Sequence, residues 1–544
     1  MIIVDPVVLG DVPFTRPSPK WAYDRTGTLV EVPANTLGVT YDPVDLSKAP
    51  WALLEPEATN RTRNSTMQGA AAGFPGALPT TWEDAIIGGL SRQIIGVTKE
   101  AGIDCIDIRI FGTISSAASP EYTVLFGSGT ATAAGVGEKW VSSAFIRISA
   151  GTLSGVTAAE HFVLGFNSSG GLSEARSKYF TPSAGPLNEN RNVFEHTTAA
   201  SSTVTIVNRI DLNFGALGTA VDVTLRIGLP QFERDRLSSP IKTSNGAVTR
   251  AADVVGAGAG LVYSNVPMVE PPYNVATTYA KDVAVYDPTT KIVYWSMVAG
   301  NVGKALSDPV FWNKRTAINR WAMFDDRNST QTSNPEEIVS VFSAQAITQG
   351  LFAGAMDASE VRVSMTHPTR GLVFSETKSL VLPRSGSSFY GWCFNRLRLR
   401  TWFLTLKLPV FANALVTVTI KKPGGVPKCG MCLLGPTVDV GLSLMGLSTE
   451  LKDYSTTTFF TDGSSSTVER GFSKKMSVDI SVESDRVETI EDDLIKRRQK
   501  TLVFLGSTMR GDTMLVGRFS SLRKVIDSFP RSKMALQIDG VLSQ

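Results

Sequence analysis

The feature that most constrains the fold is a strict alternation of apolar and charged residues about a fifth of the way along the chain. Ile106, Ile108 and Ile110 are separated by single charged residues, which are Asp107 and Arg109. A period of two residues places the apolar side chains on one face of an extended strand, whereas a helix needs a period of about 3.6. The sequence therefore predicts a half-buried β-strand in a sheet that covers a core.

The same alternation recurs through the first half of the chain, with Gly, Ser and Asn turn residues between the apolar runs. The 47 glycines and 28 prolines also favour short strands joined by turns over long helices. Several short strands at this spacing predict a β-sandwich of jelly-roll type. The further predicted strands of this half are 139–148, 161–166, 202–214 and 221–227.

The second half also predicts strands. A hairpin is expected from residues 283–286 and 292–295, because the connection between them, Asp-Pro-Thr-Thr-Lys, has strong turn chemistry. The other predicted strands of this half are 361–364, 371–374, 416–420, 476–482, 501–505 and 513–519. The fold class is therefore all-β.

One amphipathic helix is predicted within this second half, at residues 487–500. Its apolar residues recur at helical spacing opposite a charged face, so the helix should pack one side on a sheet. No internal repeat and no sustained heptad pattern is visible, which disfavours a β-helix or a coiled-coil shaft. The apolar residues are Val487, Ile490, Leu494 and Ile495.

Three parts are expected, because 544 residues exceed what one hydrophobic core usually organises. Residues 1–55 carry many prolines and isolated aromatics, which are typical of an extended docking arm. Residues 56–265 hold the alternating strands of the sandwich. Residues 266–544 are expected to form a second β-rich domain that carries the helix.

The formal net charge of +3 is small for this length, so a dedicated nucleic-acid binder is disfavoured. No apolar stretch of membrane-spanning length occurs, and we expect no membrane insertion. The first residues have neither a basic segment nor the apolar run of a secretory signal. Four scattered cysteines suit a reducing compartment, and we expect a chain that is made and kept soluble there.

Cys429 and Cys432 form a Cys-Gly-Met-Cys sequence, which is the single metal-like spacing in the chain. A structural zinc site needs four ligands, and no second pair accompanies these thiols. The glycine-rich run 256–260 lacks the Lys-Ser/Thr ending of a phosphate-binding loop and is interpreted as linker. We therefore predict no metal and no cofactor.

Catalytic residues are also not predicted. Three histidines and no Gly-x-Ser-x-Gly sequence give a serine hydrolase little support. Glycoside hydrolysis needs two carboxylates on either side of the scissile bond, and two adjacent pairs are candidates. Asp325 and Asp326 are typical of a turn, and Asp492 and Asp493 fall on the charged face of the predicted helix. The chain is accordingly expected not to be an enzyme.

Nine tryptophans remain, and most should fill cores because their rings carry large apolar area. One or two exposed rings could stack on sugars. The candidate glycan-contact aromatics are Trp140, Trp312 and Trp392.

Two sequence segments that bracket the first half resemble the ends of a module common in tailed-phage tail and fibre proteins. In that module a short arm, with Leu-x-Glu-Pro-x-x-Thr-Asn, leads into a carbohydrate-binding-like jelly roll. The opening matches are Asp-Arg-Thr-Gly-Thr at 24–28, Tyr-Asp-Pro at 41–43 and Leu-Glu-Pro-Glu-Ala-Thr-Asn at 54–60. The closing matches are Leu-Pro-Gln-Phe-Glu at 229–233 and Thr-Ser-Asn-Gly-Ala-Val-Thr-Arg-Ala-Ala-Asp at 243–253.

The second half resembles a domain of phage tail fibres and related virion proteins. The resemblance implies a β-rich structural protein of a bacteriophage virion, part of the viral tail as a tail fibre or in the baseplate. It further implies a homotrimer that joins other tail proteins and takes part in host attachment as a receptor-binding protein for a bacterial surface glycan. It supplies no catalytic residue. The matching segments are 294–295, 319–325, 453–455, 470–476 and 501–506.

Two alternatives stay open at this point. One is a tail-associated polysaccharide-degrading enzyme, a depolymerase that cleaves capsule or lipopolysaccharide during adsorption. The other is a secreted sugar-binding protein of cellular origin, which the absence of a recognisable signal segment disfavours.

Overall fold

The structure is a computed structural model that describes residues 1–7, 9–116, 119–127, 132–344, 348–382, 389–394, 398–508, 510–525 and 530–541. The chain forms two compact units. We call Phe14–Val255 the N-terminal module, and Met1–Pro13 together with Gly256–Gln544 the C-terminal module. Strands dominate both, which confirms the all-β class.

The strands are numbered in chain order. The first thirteen residues contribute β1 (Ile2–Val4) and β2 (Gly10–Asp11) to the C-terminal module. The strands of the N-terminal module are β3 (Phe14–Thr15), β4 (Lys20–Tyr23), β5 (Leu29–Val32), β6 (Val39–Thr40), β7 (Trp51–Ala52), β8 (Ala58–Asn60), β9 (Glu83–Ile86), β10 (Ser91–Glu100), β11 (Ile103–Thr113), β12 (Glu121–Leu125), β13 (Thr132–Ala133), β14 (Lys139–Gly151), β15 (Val156–Phe166), β16 (Leu172–Phe180), β17 (Arg191–Thr197), β18 (Thr205–Phe214), β19 (Ala220–Arg234), β20 (Val248–Arg250) and β21 (Val254–Val255).

The remaining strands belong to the C-terminal module, which also holds both described α-helices, α1 (Phe389–Phe394) and α2 (Val487–Lys496). These strands are β22 (Gly260–Ser264), β23 (Ala284–Tyr286), β24 (Ile292–Ser296), β25 (Trp312–Ala317), β26 (Thr332–Ser333), β27 (Glu337–Ser343), β28 (Gly350–Gly354), β29 (Glu360–His367), β30 (Gly371–Ser379), β31 (Val381–Leu382), β32 (Arg398–Leu399), β33 (Phe403–Thr405), β34 (Leu415–Lys421), β35 (Lys428–Cys429), β36 (Met431–Gly435), β37 (Thr437–Asp439), β38 (Leu442–Ser443), β39 (Ser448–Asp453), β40 (Thr456–Phe459), β41 (Ser465–Val468), β42 (Phe472–Glu483), β43 (Leu502–Leu505), β44 (Met514–Val525) and β45 (Arg531–Gly540).

The N-terminal module contains an antiparallel β-sandwich. One sheet has the strand order β10-β11-β19-β14-β17, and the other has β16-β15-β18-β12-β9 with β13 also paired to β18. The alternation seen in the sequence puts Ile106, Ile108 and Ile110 of β11 into one core with Ile210 and Leu212 of β18. The predicted sandwich and its strand pattern are confirmed.

The outer face of the five-stranded sheet is covered by the proline-rich segment 14–55. Leu29 is buried against Ile103 and Phe145 of that face, and Trp21 packs on the same cluster. The predicted docking arm over residues 1–55 is therefore corrected. The apolar side chains of this segment gain a sheet surface to cover, so it folds into the module instead of extending from it.

The first residues of the chain belong to the C-terminal module. Strand β1 lies within an eight-stranded sheet of order β37-β1-β43-β44-β45-β42-β38, in which β39 also pairs with β42. Ile3 stands opposite Val438 on one side and Phe504 on the other, and it is fully buried. The boundary between modules also lies after Val255 rather than near residue 265.

Helix α2 packs on this eight-stranded sheet, as its pattern predicts. Val487, Ile490 and Leu494 are buried in the core that the sheet forms with Met476 and neighbouring strands. The helix ends at Lys496, four residues before the predicted end at 500. Ile495, which was expected on the packed face, is 45% exposed.

The rest of the C-terminal module surrounds the largest apolar core of the chain. The predicted hairpin at 283–295 is confirmed as β23 and β24, which extend with β25 into a three-stranded sheet. The remaining pairings give a six-stranded sheet β2-β22-β27-β34-β29-β30, a three-stranded sheet β33-β28-β36, and the pairs β26-β35, β31-β32 and β40-β41.

Candidate functional site

Two of the three candidate glycan-contact aromatics are core residues. Trp140 is 1% exposed and stacks on Phe232 with a centroid distance of 5.2 Å. Trp312 is 2% exposed and meets Tyr273 and Tyr279 edge to face. A ring enclosed in this way has no free face for a sugar, so the structure corrects the prediction for both residues. The competing interpretation, that aromatic bulk is buried, explains them.

The third candidate, Trp392, lies in the short helix α1. Its side chain is outside the part of the chain that the structure describes. The prediction for Trp392 therefore stays a prediction.

A different tryptophan occupies the surface. Of the tryptophan side chains that are described, Trp295 on β24 is the exposed one, at 41%. Its neighbours Val293 and Tyr294 are both buried, in two separate clusters. The guanidinium of Arg315 lies 4.5 Å from the centre of the Trp295 ring, which holds an aromatic and a cation together at the surface.

Alternation along the strand does not by itself predict this exposure. Tyr294 and Trp295 are consecutive residues of a predicted hairpin strand, and consecutive strand residues point to opposite faces. Both faces of β24 nevertheless pack on a core, because Val293 and Tyr294 are buried in separate clusters. The exposure of Trp295 therefore depends on contacts with residues distant in sequence.

Trp295 and Arg315 line a groove of about 530 Å³ beside strand β25, which we call the Trp295 groove. Glu270 and Gln331 add a carboxylate and an amide to its lining. An aromatic face with polar groups around it is the arrangement that proteins use to stack on a sugar ring and hydrogen-bond its hydroxyls. The groove is therefore a candidate glycan-contact surface.

A larger cleft of about 830 Å³ shares residues Arg315–Ala317 of β25 with this groove. We call it the Asp326 cleft. Its lining includes Asp325 and Asp326 and also the cations Lys291, Lys314 and Lys500. The adjacent carboxylates, which the sequence placed in a turn, do sit in a turn, because Asp325 accepts hydrogen bonds from the Arg327 N–H and the Thr330 hydroxyl.

The two carboxyl groups of this cleft are perturbed in the same direction. Partial burial raises the pKa of Asp325. Desolvation by neighbouring groups also raises the pKa of Asp326 and Arg518 opposes it, although much of the surface of Asp326 is exposed to solvent. A carboxyl group with a raised pKa can hold a proton and act as a general acid. The other candidate pair differs, since Asp492 is exposed on α2 and Asp493 pairs with Arg497.

A second constellation has the connectivity of a catalytic triad. Within the sandwich, Ser142 Oγ lies 2.6 Å from His161 Nε2, and His161 Nδ1 lies 2.9 Å from Asn192 Oδ1. Ser142 and His161 are both 0% exposed, and Asn208 donates a further hydrogen bond to the serine oxygen. Burial lowers the pKa of His161 to about 4. A neutral histidine that is fully buried together with the serine it contacts satisfies buried polar groups and leaves the serine oxygen without access to a substrate.

The sequence segments that carry the resemblance meet in a buried cluster of charges. Glu55, from the opening segment, accepts from Arg250 Nη1 at 2.8 Å, and Arg250 belongs to the closing segment. Asp253, also of the closing segment, pairs with Lys20 and with Arg16, the latter at 3.2 Å. We call these five residues the ionic clasp. Their contacts join the beginning of the N-terminal module to its end.

The ionic clasp is shielded from solvent. Arg16 and Lys20 are 0% exposed, and Arg250 is 2% exposed. Burial would raise the pKa of Glu55, but Lys20 and Arg250 outweigh it and the pKa is lowered. Backbone hydrogen bonds complete the arrangement, with the Glu55 N–H donating to Asp253 Oδ2 and the Asp253 N–H to the Glu55 carbonyl. The recognisable sequence of the segments is thus explained by a structural contact.

The thiols of Cys429 and Cys432 are both buried. Burial raises the pKa of Cys429 to about 12, and its Sγ donates to the Met431 carbonyl at 3.3 Å. Neutral thiols of this kind are poor metal ligands and poor nucleophiles. In the described ranges, no three His, Cys, Asp or Glu residues cluster as a metal site would need. No described helix is both long and apolar enough to span a membrane.

No family model matches the sequence, and no curated protein does. Among solved structures, the chain is similar to a family 11 carbohydrate-binding module from Clostridium thermocellum bound to a mixed-linked tetrasaccharide, with 8% identity and a TM-score of 0.22 over 34% of this chain and 98% of the module. It is also similar to an arabinose-bound GH51 α-L-arabinofuranosidase, with 14% identity and a TM-score of 0.23 over 34% of this chain, and it spans only 27% of that enzyme.

A third match is tailspike protein 4 of bacteriophage CBA120, in its enzymatically active domain. The identity is 8% and the TM-score 0.17, over 28% of this chain and 19% of that chain. TM-scores this low establish neither a shared topology nor a shared function. A function for this chain is therefore inferred from its own residues.

Proposed function

We propose that the chain is a non-enzymatic structural protein of a tailed-phage virion, a tail fibre or baseplate component. In this proposal it is made in the host cytoplasm, assembles as a homotrimer with other tail proteins, and contributes to attachment by contacting a bacterial surface glycan. The observation that carries it is the ionic clasp. The two segments that resemble the ends of a phage tail module are far apart in sequence and are joined by buried ion pairs, as the two ends of one folded module would be.

Incorporation into particles tests the virion part. Particles of the phage that encodes the chain are purified by density gradient, and the chain is quantified by immunoblot and mass spectrometry against the major capsid protein. We expect a fixed, low copy number per particle that survives a second gradient. A chain found only in the unassembled fraction of the lysate would contradict the proposal.

The Trp295 groove is the proposed glycan contact. An exposed indole stacks on the apolar face of a pyranose, and Arg315 beside it can donate hydrogen bonds to hydroxyl or carboxylate oxygens. Trp295→Ala should lower retention of the purified protein on immobilised host polysaccharide at least about fivefold, because truncating an aromatic anchor of a binding site costs about 1 kcal/mol or more. The matched control is Tyr179→Ala, which removes another aromatic ring that is 70% exposed.

Retention that falls equally in both variants would contradict the groove as the contact. A Trp295→Ala protein that binds as well as the unaltered chain would contradict it too. Thermal midpoints of both variants should match the parent, since neither ring is part of a core.

The second candidate function is a polysaccharide-degrading enzyme, and the raised pKa values of Asp325 and Asp326 in the Asp326 cleft favour it. Incubation with host polysaccharide separates the two functions. The structural proposal predicts no release of reducing ends above a buffer blank. Release that is abolished by Asp326→Asn, with Asp492→Asn as the control, would establish the enzyme instead.

A further inference from the structure

A long exposed hairpin leaves the eight-stranded sheet of the C-terminal module. Strand β39 pairs with β42 as far as Asp453 opposite Phe472. Beyond that point the chain continues into β40 and β41, which among the described strands pair only with each other. We call residues 448–470 the hairpin arm.

The hairpin arm has no core of its own. All of its residues are exposed except Ser455, which is half-buried. Its exposed apolar side chains include Leu451 at 59%, Phe459 at 78% and Val468 at 56%. A two-stranded hairpin without packing on either face is at best marginally stable in water, so this segment needs a covering surface.

Both faces of the hairpin arm carry apolar groups. Phe459 stands opposite Ser465, and Val468 stands opposite Thr456. Because strand residues alternate between faces, Phe459 and Val468 project from opposite sides. Phe460, which is 52% exposed, adds a second ring at the turn. A partner that docks on one face would leave the apolar groups of the other face uncovered. Pairing along an edge with a second hairpin instead places neighbouring side chains beside the apolar groups on both faces.

The distal part of the hairpin arm, residues 456–468, has edges that almost no charged residue protects. Residues 456–468 contain no proline and no lysine, and Asp462 is the single charged residue among them. Exposed edge strands usually carry charges or proline that prevent pairing with another chain. A nearly neutral Ser- and Thr-rich edge can instead lie beside an edge of another copy without repulsion between like charges. Pairing of the β40 edge of one copy with the β41 edge of the next is a head-to-tail contact, which is the kind that a closed homotrimer needs.

The size of the segment also fits an interface between copies. One side of a standard protein interface uses about 20–30 residues, and the hairpin arm falls within that range. The loop that precedes it continues the apolar surface, with Leu442 at 58% and Met445 at 102% exposure.

We propose that the hairpin arm binds a second copy of this chain, by edge-to-edge β pairing that buries Phe459, Phe460 and Val468. This inference rests on the oligomeric part of the proposed function and names the segment responsible. It assigns to the arm an assembly role that is separate from the Trp295 groove.

The test is the mass of the purified full chain in solution, measured by sedimentation velocity and light scattering across a concentration series. The unaltered chain should be a multiple of its 58.4 kDa mass. The triple variant Phe459→Ser, Phe460→Ser and Val468→Ser should raise the dissociation constant at least about thirtyfold. The control, Val269→Ser with Val310→Ser, removes apolar groups that are 75% and 67% exposed elsewhere in the module and should leave the mass unchanged.

A deletion provides a second variant. Since Asp453 and Phe472 are directly opposite, replacing residues 454–471 by Asn-Gly closes a two-residue hairpin at that pair. This protein should fold, with the thermal midpoint and near-ultraviolet circular dichroism of the parent, and should sediment as a monomer.

Each outcome decides a separate claim. An unaltered chain that stays at 58.4 kDa at all concentrations overturns both the oligomer and the arm's role. An oligomer that keeps its mass in the triple variant and in the deletion overturns the arm alone. An arm that is needed for incorporation into particles but not for self-association would identify another tail protein as its partner and overturn the second-copy assignment.

Discussion

Asp253→Asn is the sharpest test of the ionic clasp. The substitution keeps the shape of the side chain and removes its charge. Arg16 and Lys20 then remain fully buried with Arg250, and Glu55 is the one carboxylate left among three cations. Removing one partner of a buried ion pair costs about 3–5 kcal/mol, because the other charge stays desolvated.

The size of the effect follows from the size of the module. For a unit of this length each kcal/mol moves the thermal midpoint by about 2–4 °C, so the N-terminal module should lose about 6–20 °C. Differential scanning calorimetry of the full chain measures it, and only the transition of that module should move. The matched control is Asp222→Asn, which breaks an ion pair with Arg109 on the same module at side-chain exposures of 54% and 36%. That shift should be no more than about 4 °C.

A double variant tests the physical reason. In Asp253→Asn the buried Lys20 has lost one of its carboxylate partners. Adding Lys20→Met removes this uncompensated cation, so part of the lost stability should return. Equal midpoint shifts in Asp253→Asn and Asp222→Asn would contradict a stabilising role of the ionic clasp. Effects of Asp253→Asn and Lys20→Met that simply add would contradict an interaction between these two charges.

Three further variants test the packing and the titration of the two modules. The folded-state pKa of His161 is about 4, below the ordinary 6.5, so the stability that neutral His161 contributes is complete above pH 6.5 and is lost as pH falls through 4. His161→Gln should therefore reduce by about 3 kcal/mol the stability that urea titrations show to be lost between pH 7 and pH 4. An unchanged pH dependence would contradict this. Ile490→Ala should cost about 2–5 kcal/mol in the transition of the C-terminal module, whereas Ile495→Ala on the exposed side of the same helix should cost well under about 1 kcal/mol, and equal costs would disprove the packing. Trp140→Ala should lower the free energy of unfolding by about 3–5 kcal/mol and leave polysaccharide retention unchanged below the thermal midpoint. This is the reverse of the result expected for Trp295→Ala. Lost retention would restore Trp140 as a glycan contact.

The elements that the sequence predicts well are those whose pattern is local. The alternation at Ile106, Ile108 and Ile110 identifies strand β11 and its buried face, because a period of two has one structural meaning. The helix at Val487–Lys496 was predicted in the same way. Only its end and the exposure of Ile495 differ from the prediction.

The features that sequence reasoning missed depend on contacts between distant residues. No local sequence pattern predicts that Leu29 covers Ile103 and Phe145, so the proline-rich segment was predicted to be a docking arm. The burial of Trp140 likewise depends on Phe232, about ninety residues away. Glu55 and Asp253 lie in sequence segments that could be recognised by their resemblance. That the two residues contact each other in one buried cluster could be seen only in the folded structure.

Labelled imaging of particles tests the central claim most directly. A gold-conjugated antibody against the purified chain is applied to gradient-purified particles, with particles that lack the gene for this chain as the control. We expect gold at one fixed position on the tail of each particle, at the fibres or the baseplate, and none on the control. Gold that is absent from particles, while the same antibody detects the chain free in the lysate, would contradict a virion role.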